Sequence, residues 1–97
     1  MTQNNRFYID SDNGYAVLLG YIMPLTQTEF SILNRVARAE EYISAEAIQA
    51  EILDGRNITL GNIAVHICNI NKKAKRISGR ELIKTRRYKG YKISDTM

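Results

Sequence analysis

The firmest constraint on this chain is a stripe in its second half. Leu60, Ile63, Ile67, Ile70 and Ala74 recur at steps of 3, 4, 3 and 4. That spacing keeps returning to one side of a helix with about 3.6 residues per turn, so the segment predicts an amphipathic helix of about 15 residues. At about 100° per residue, Val65, Asn69, Lys72 and Arg76 fall on the opposite side, flanked by Asn62, His66, Cys68 and Lys73. The outward side is therefore polar first and cationic toward its end. Thr59 is a candidate N-cap and Gly79 a natural stop.

Something else in the chain must cover that stripe, and the preceding residues supply two kinds of element. Phe7-Tyr8-Ile9, Tyr15 to Leu19 and Tyr21-Ile22-Met23 read as short strands, separated by the turn-forming run Asp10 to Gly14 and by Gly20. A small antiparallel sheet follows, and Pro24 ends it. Thr26 and Glu29 stand three apart, as in a capping box, with Leu25 and Phe30 placed to close a hydrophobic staple. They predict a helix from Gln27 to about Arg38, with Phe30, Leu33, Val36 and Ala37 as its apolar side. Ala39 to Tyr42 forms an acidic link. Ile43-Ser44 then offers a second cap, for a helix through Leu53 that Asp54-Gly55 ends, followed by the loop Arg56-Asn57-Ile58. After Gly79, the segments 81–85 and 91–93 around the turn Arg86 to Gly90 read as a terminal β-hairpin.

Charge divides along the same line. Of 97 residues, 14 are Lys or Arg and 10 are Asp or Glu, for a net charge of +4. Residues 1–71 carry four cations against eight carboxylates, whereas residues 72–97 carry ten against two, Glu81 and Asp95. A net −4 segment thus precedes a net +8 one, and such asymmetry points to a polyanionic partner. The length fits a single domain over residues 1–97, with its core at about 7–93, burying roughly 65% of the surface of the unfolded chain. With 44% apolar and 25% charged residues, the composition is globular. No run approaches the roughly 18 apolar residues of a membrane span, and the first residues lack the apolar stretch of a secretory signal. Cys68 is the one cysteine and His66 the one histidine, too few for a disulfide or a zinc site, and a reducing cytoplasm is the expected location. No nucleophile set, metal set or phosphate loop is legible, so neither an enzyme nor a cofactor is expected.

Strands, three helices and a basic closing hairpin make an α+β chain with the parts of a winged helix-turn-helix. Three blocks make the likeness specific: Leu25-Thr-Gln-Thr-Glu-Phe-Ser-Ile-Leu33, Ile63-Ala-Val-His-Ile67 and Ile83-Lys-Thr-Arg-Arg-Tyr-Lys-Gly-Tyr91. They resemble the L-T-x-x-E-F-x-L-L, V-D-V-H-I and I-x-T-V-R-G-x-G-Y blocks of the OmpR/PhoB-type DNA-binding domain, the effector half of many bacterial response regulators in two-component phosphorelays. The resemblance runs from about Phe7 to Ile93. It implies transcriptional regulation through double-stranded DNA, with the helix that holds Ile63 to Ile67 as the recognition helix. Asn62, Val65, His66, Asn69, Lys72, Lys73 and Arg76 would then meet DNA from that helix. Thr85, Arg86, Arg87, Lys89 and Tyr91 would meet its backbone or the adjoining minor groove from the wing.

The link holding Glu40, Glu41 and Tyr42 corresponds to a loop that in this family can touch RNA polymerase. A second copy bound to repeated DNA sites is a further partner of the family type, and no membrane is implied. Such regulators carry an N-terminal receiver, and no segment of this sequence could form one. The chain departs from the family pattern at Gly61, Cys68, Asn69 and Asn71, where relatives often have arginine, at Ala64, where they have an acidic residue, and at Tyr88, where they have glycine. Those departures leave open a second function, a winged-helix protein-interaction module that has lost specific DNA reading. Simpler readings also stand beside the individual residues: a locally satisfied His66, an inert Cys68, hairpin tyrosines packed across strands, a solvated Glu40-Glu41 turn, and a basic cluster that only aids solubility.

Overall fold

The computed structural model describes residues 6–52 and 59–94. Its elements run β1 (Phe7–Asp10), β2 (Tyr15–Leu18), β3 (Tyr21–Ile22), α1 (Gln27–Arg38), α2 (Ala45–Glu51), α3 (Leu60–Ser78), β4 (Ile83–Arg86) and β5 (Gly90–Ile93). Strands β1, β2 and β3 form an antiparallel meander, with Phe7 opposite Leu18 and Val17 opposite Ile22. Strands β4 and β5 form a separate antiparallel hairpin in which Ile83 faces Ile93 and Thr85 faces Tyr91. The α+β order of three strands, three helices and a closing hairpin is the expected one.

Local chemistry sets the element ends. Asp10 accepts from the backbone N–H of Asn13 at 3.0 Å and from its side-chain amide at 2.9 Å, which folds the chain from β1 into β2. Those same bonds hold the Asp10 carboxyl below its ordinary range. At the start of α1 the capping box is complete: Glu29 N–H donates to Thr26 Oγ1 at 3.2 Å, and Thr26 N–H donates back to Glu29 Oε1 at 3.0 Å. Ser44 and Thr59 cap α2 and α3 through their hydroxyl groups, which accept from the backbone N–H of Ala47 and Asn62. Gly79 ends α3 with φ +79°, a left-handed cap that a side chain would strain. The expected end of α2 at Leu53 to Gly55 and the loop Arg56-Asn57-Ile58 lie outside the described residues.

The core gathers one side of each element: Phe7 and Leu18 from the sheet, Ile32, Leu33 and Val36 from α1, Ile48 from α2, Ile63, Ile67, Ile70 and Ala74 from α3, and Leu82, Ile83 and Ile93 from the hairpin. Two positions differ from the periodicity. Leu60, the first residue of α3, is 41% exposed. In α1 the buried side includes Ile32, while Phe30 is only half-buried at the rim beside Leu25.

The buried side of α3 also holds a polar residue, Asn71. Its amide oxygen accepts from the backbone N–H groups of Leu82 at 3.0 Å and Ile83 at 2.8 Å, and its amide nitrogen donates to the Ile83 carbonyl at 2.9 Å. One side chain thus pairs three backbone groups at the root of the hairpin, which would otherwise be buried unpaired at about 1–3 kcal/mol each. Asn71→Leu keeps the branching of the side chain, with more bulk, and removes all three partners. Urea unfolding should show a loss of about 3 kcal/mol, most of the effect coming from stranded hairpin backbone.

Candidate nucleic-acid interface

Helix α3 lies between two neighbours that divide its surface. On one flank Asn71 holds the hairpin. On the other, Lys73 Nζ donates to Glu29 Oε1 at 2.5 Å, tying α3 to the first turn of α1. His66, about two helical turns before Lys73, lies on the same flank, and its charge favours the ionised Glu29. Between these flanks Asn62, Val65, Lys72 and Arg76 are exposed and Asn69 is half-buried. Val65, an apolar side chain 56% exposed among polar ones, stands near the centre of that strip.

Lys73 therefore differs from its expected placement. Its ammonium is directed at the α1 corner rather than along the outward side, and its charge is balanced by a carboxylate only 4% exposed. His66 is half-buried, and its Nδ1 is enclosed with no hydrogen-bond partner among the described residues. Cys68 is exposed on the hairpin side of the strip.

The hairpin carries the second part. Thr85, Arg86, Arg87 and Lys89 are exposed around its tip, as their expected role requires. Tyr91 is half-buried against the core, and its backbone pairs with Ile43: Ile43 N–H donates to the Tyr91 carbonyl at 2.9 Å, and Tyr91 N–H donates to the Ile43 carbonyl at 2.8 Å. The approach is close enough to require glycine at the preceding position. A Cβ on Gly90, whose φ is +110°, would stand 2.1 Å from the Ile43 oxygen.

This bridge brings the link between α1 and α2 to the base of the hairpin. Lys84 and Lys92, directly opposite each other across β4 and β5, would repel. The Tyr42 ring meets both, each ammonium 5.8 Å from its centroid, a contact worth about 0.5–1 kcal/mol at a partly exposed site. Glu40 and Glu41 project into solvent beside it. Of the three residues expected to meet RNA polymerase, Tyr42 thus has a packing role and the two carboxylates do not.

These elements also occur in known proteins. No family model matches the sequence, and no curated protein matches it. Among solved structures, the DNA-binding domain of CpxR from E. coli superposes with a TM-score of 0.73 over 94% of this chain and 92% of that one, at 28% identity. The chain has the winged helix-turn-helix fold of response-regulator DNA-binding domains. The Klebsiella pneumoniae RstA DNA-binding domain, solved in complex with the RstA box, is similar at TM-score 0.74 and 24% identity, over 95% of this chain and 94% of that one. A redox sensor of the streptococci, from a family evolved from two-component response regulators, superposes at TM-score 0.81 and 17% identity over 97% of this chain. This chain spans 42% of the length of that sensor. In winged-helix terms, the hairpin is the wing and α3 the third helix.

The corner where α1 meets α3 has a measurable signature. Burial pushes the Glu29 carboxyl up, but hydrogen bonds from Lys73 and from Thr26 N–H, with the charges of Lys73 and His66, outweigh it and hold the pKa below its ordinary 4.5. A lowered folded-state pKa gives stability that is present above pH 4.5 and lost as pH falls through the folded value. Glu29→Gln should cost about 2 kcal/mol at neutral pH by leaving half-buried Lys73 unpaired. The gap between the two proteins should close as denaturation is followed down from pH 4.5, since protonated Glu29 no longer holds Lys73.

Proposed function

We propose that this chain binds double-stranded DNA and regulates transcription, with α3 in the major groove and the wing on the adjoining backbone and minor groove. The observation that carries this reading is the strip from Asn62 through Val65 and Asn69 to Lys72 and Arg76, exposed beside a wing tip bearing Arg86, Arg87 and Lys89. The fold supports it, since its neighbours include the RstA domain in complex with its own DNA box. Residues 7–93 act as one unit in this reading.

The parts divide by chemistry. Lys72, Arg76, Arg86, Arg87 and Lys89 contact phosphate, which fixes position without reading sequence. Asn69 has an amide able to pair with adenine N6 and N7, and Val65 offers an apolar surface to a thymine methyl. His66, half-buried on the α1 flank, presents its Nε2 N–H to phosphate. Lys73 contributes by holding α3 against α1. The exposed Glu40-Glu41 link is the surface for RNA polymerase, and binding on repeated sites pairs two copies. Both of those finer assignments rest on the family likeness.

Arg87→Ala should weaken binding to every duplex and lower the slope of log affinity against log salt by about 1. Asn69→Ala should instead cost about 1–3 kcal/mol only where an adenine is read. Selection from a random DNA pool, followed by anisotropy titrations of both variants, measures the difference. If the unmodified protein bound no duplex at tens of micromolar and low salt, the DNA reading would fall and a protein-interaction module would replace it.

A further inference from the structure

The ten cations from Lys72 to Lys92 are not equally open to a partner. Seven are exposed, whereas Lys73, Lys84 and Lys92 are half-buried. Lys73 is held by the Glu29 carboxylate. Lys84 and Lys92 meet an aromatic ring instead, each ammonium 5.8 Å from the Tyr42 centroid. Like charges directly opposite across two strands repel, which favours turning these two side chains apart. A π-face attracts a cation without the fixed direction of a hydrogen bond, so one ring draws both to the same place. Glu40 and Glu41, exposed immediately before Tyr42, add negative potential there.

The pleat shows where these lysines reach when they are not on the ring. Lys84 and Arg86 stand two apart on β4, so both leave the same face of the hairpin, about 7 Å apart along the strand. Lys92, opposite Lys84, shares that face. A lysine has a flexible four-carbon stem, long enough to carry an ammonium from position 84 toward a polyanion lying on Arg86. We propose that Tyr42 is a positioning residue for DNA binding: it holds Lys84 and Lys92 at the base of the wing and so confines phosphate contact to the tip. This proposal rests on the DNA-binding reading above.

The effect is on affinity that carries no sequence information. Phosphate contacts strengthen binding to every duplex, and the salt dependence of binding counts them. With two cations kept on the ring, base contacts from α3 make up a larger share of what remains. Tyr42 touches no DNA in this account and acts through the lysines. An apolar side chain of similar bulk fills the space but attracts neither ammonium. The bridge from Ile43 to Tyr91 still ties the link to the hairpin when the ring is gone.

Anisotropy titrations of a random-sequence duplex over a salt series test this without knowledge of an operator. Tyr42→Leu should steepen the slope of log affinity against log salt by about 1 to 2, since each added phosphate contact contributes about 0.9. Tyr42→Phe should match the unmodified protein. Lys84→Gln should leave the slope of the unmodified protein unchanged but lower that of Tyr42→Leu by about 1. A ring with a structural role alone gives the opposite sign, because a loosened wing loses contacts and the slope becomes shallower. The proposal is overturned if Tyr42→Leu leaves the slope unchanged or shallower, if Tyr42→Phe behaves as Tyr42→Leu does, or if Lys84→Gln lowers the slope of the unmodified protein. That last measurement holds even where Tyr42→Leu folds poorly. An unmodified protein that bound no duplex at low salt would remove the DNA reading and this proposal together.

Discussion

The placement of the wing depends on one buried amide. Asn71 sits where an apolar residue would continue the stripe of α3, and it pairs three backbone groups of Leu82 and Ile83. A leucine there would add apolar contact but leave those groups without water or partner. The balance favours asparagine, since about three unpaired buried groups outweigh one buried side chain. The same contact fixes the angle between the third helix and the hairpin, because an amide bonded at three points cannot rotate without breaking one of them. The cationic tip is positioned relative to the outward side of α3 through this residue.

The opposite flank is fixed by charge. Glu29 serves two purposes at once, closing the N-terminus of α1 and pairing Lys73 on α3. A carboxylate this enclosed would be costly alone, and the hydrogen bonds from Thr26 and Lys73 make its ionised form the stable one. One consequence reaches the surface: a cation is withdrawn from the outward strip of α3, leaving Lys72 and Arg76 as the charges there. Charge available to a partner is thereby concentrated at the end of the helix and on the wing.

Much of this was legible in the sequence because it is local. The capping box at Thr26 and Glu29, the left-handed stop at Gly79 and the period of the α3 stripe depend on residues within one or two helical turns of each other. The three blocks also carry the fold, since their spacing implies the same order of elements. The role of Asn71 as a strut is not legible in the sequence, because a polar residue in an apolar stripe looks the same whether it faces water or backbone; its position in the stripe is the available signal. Lys73 was expected to face outward because 100° per residue places it on a flank, and only a carboxylate 44 positions away decides which way its ammonium turns.

The sequence by itself thus determined where helices and strands begin and end, which side of each is apolar, and that a −4 segment precedes a +8 one. The tertiary structure decided which of those ten late cations face solvent, that Tyr42 lies between Lys84 and Lys92, and that Tyr88 is exposed at the wing tip rather than packed across the hairpin. The reason is one of range. Capping and periodicity are set by neighbours along the chain, whereas ion pairing, cation–π contact and exposure depend on distances that exist only after distant segments meet.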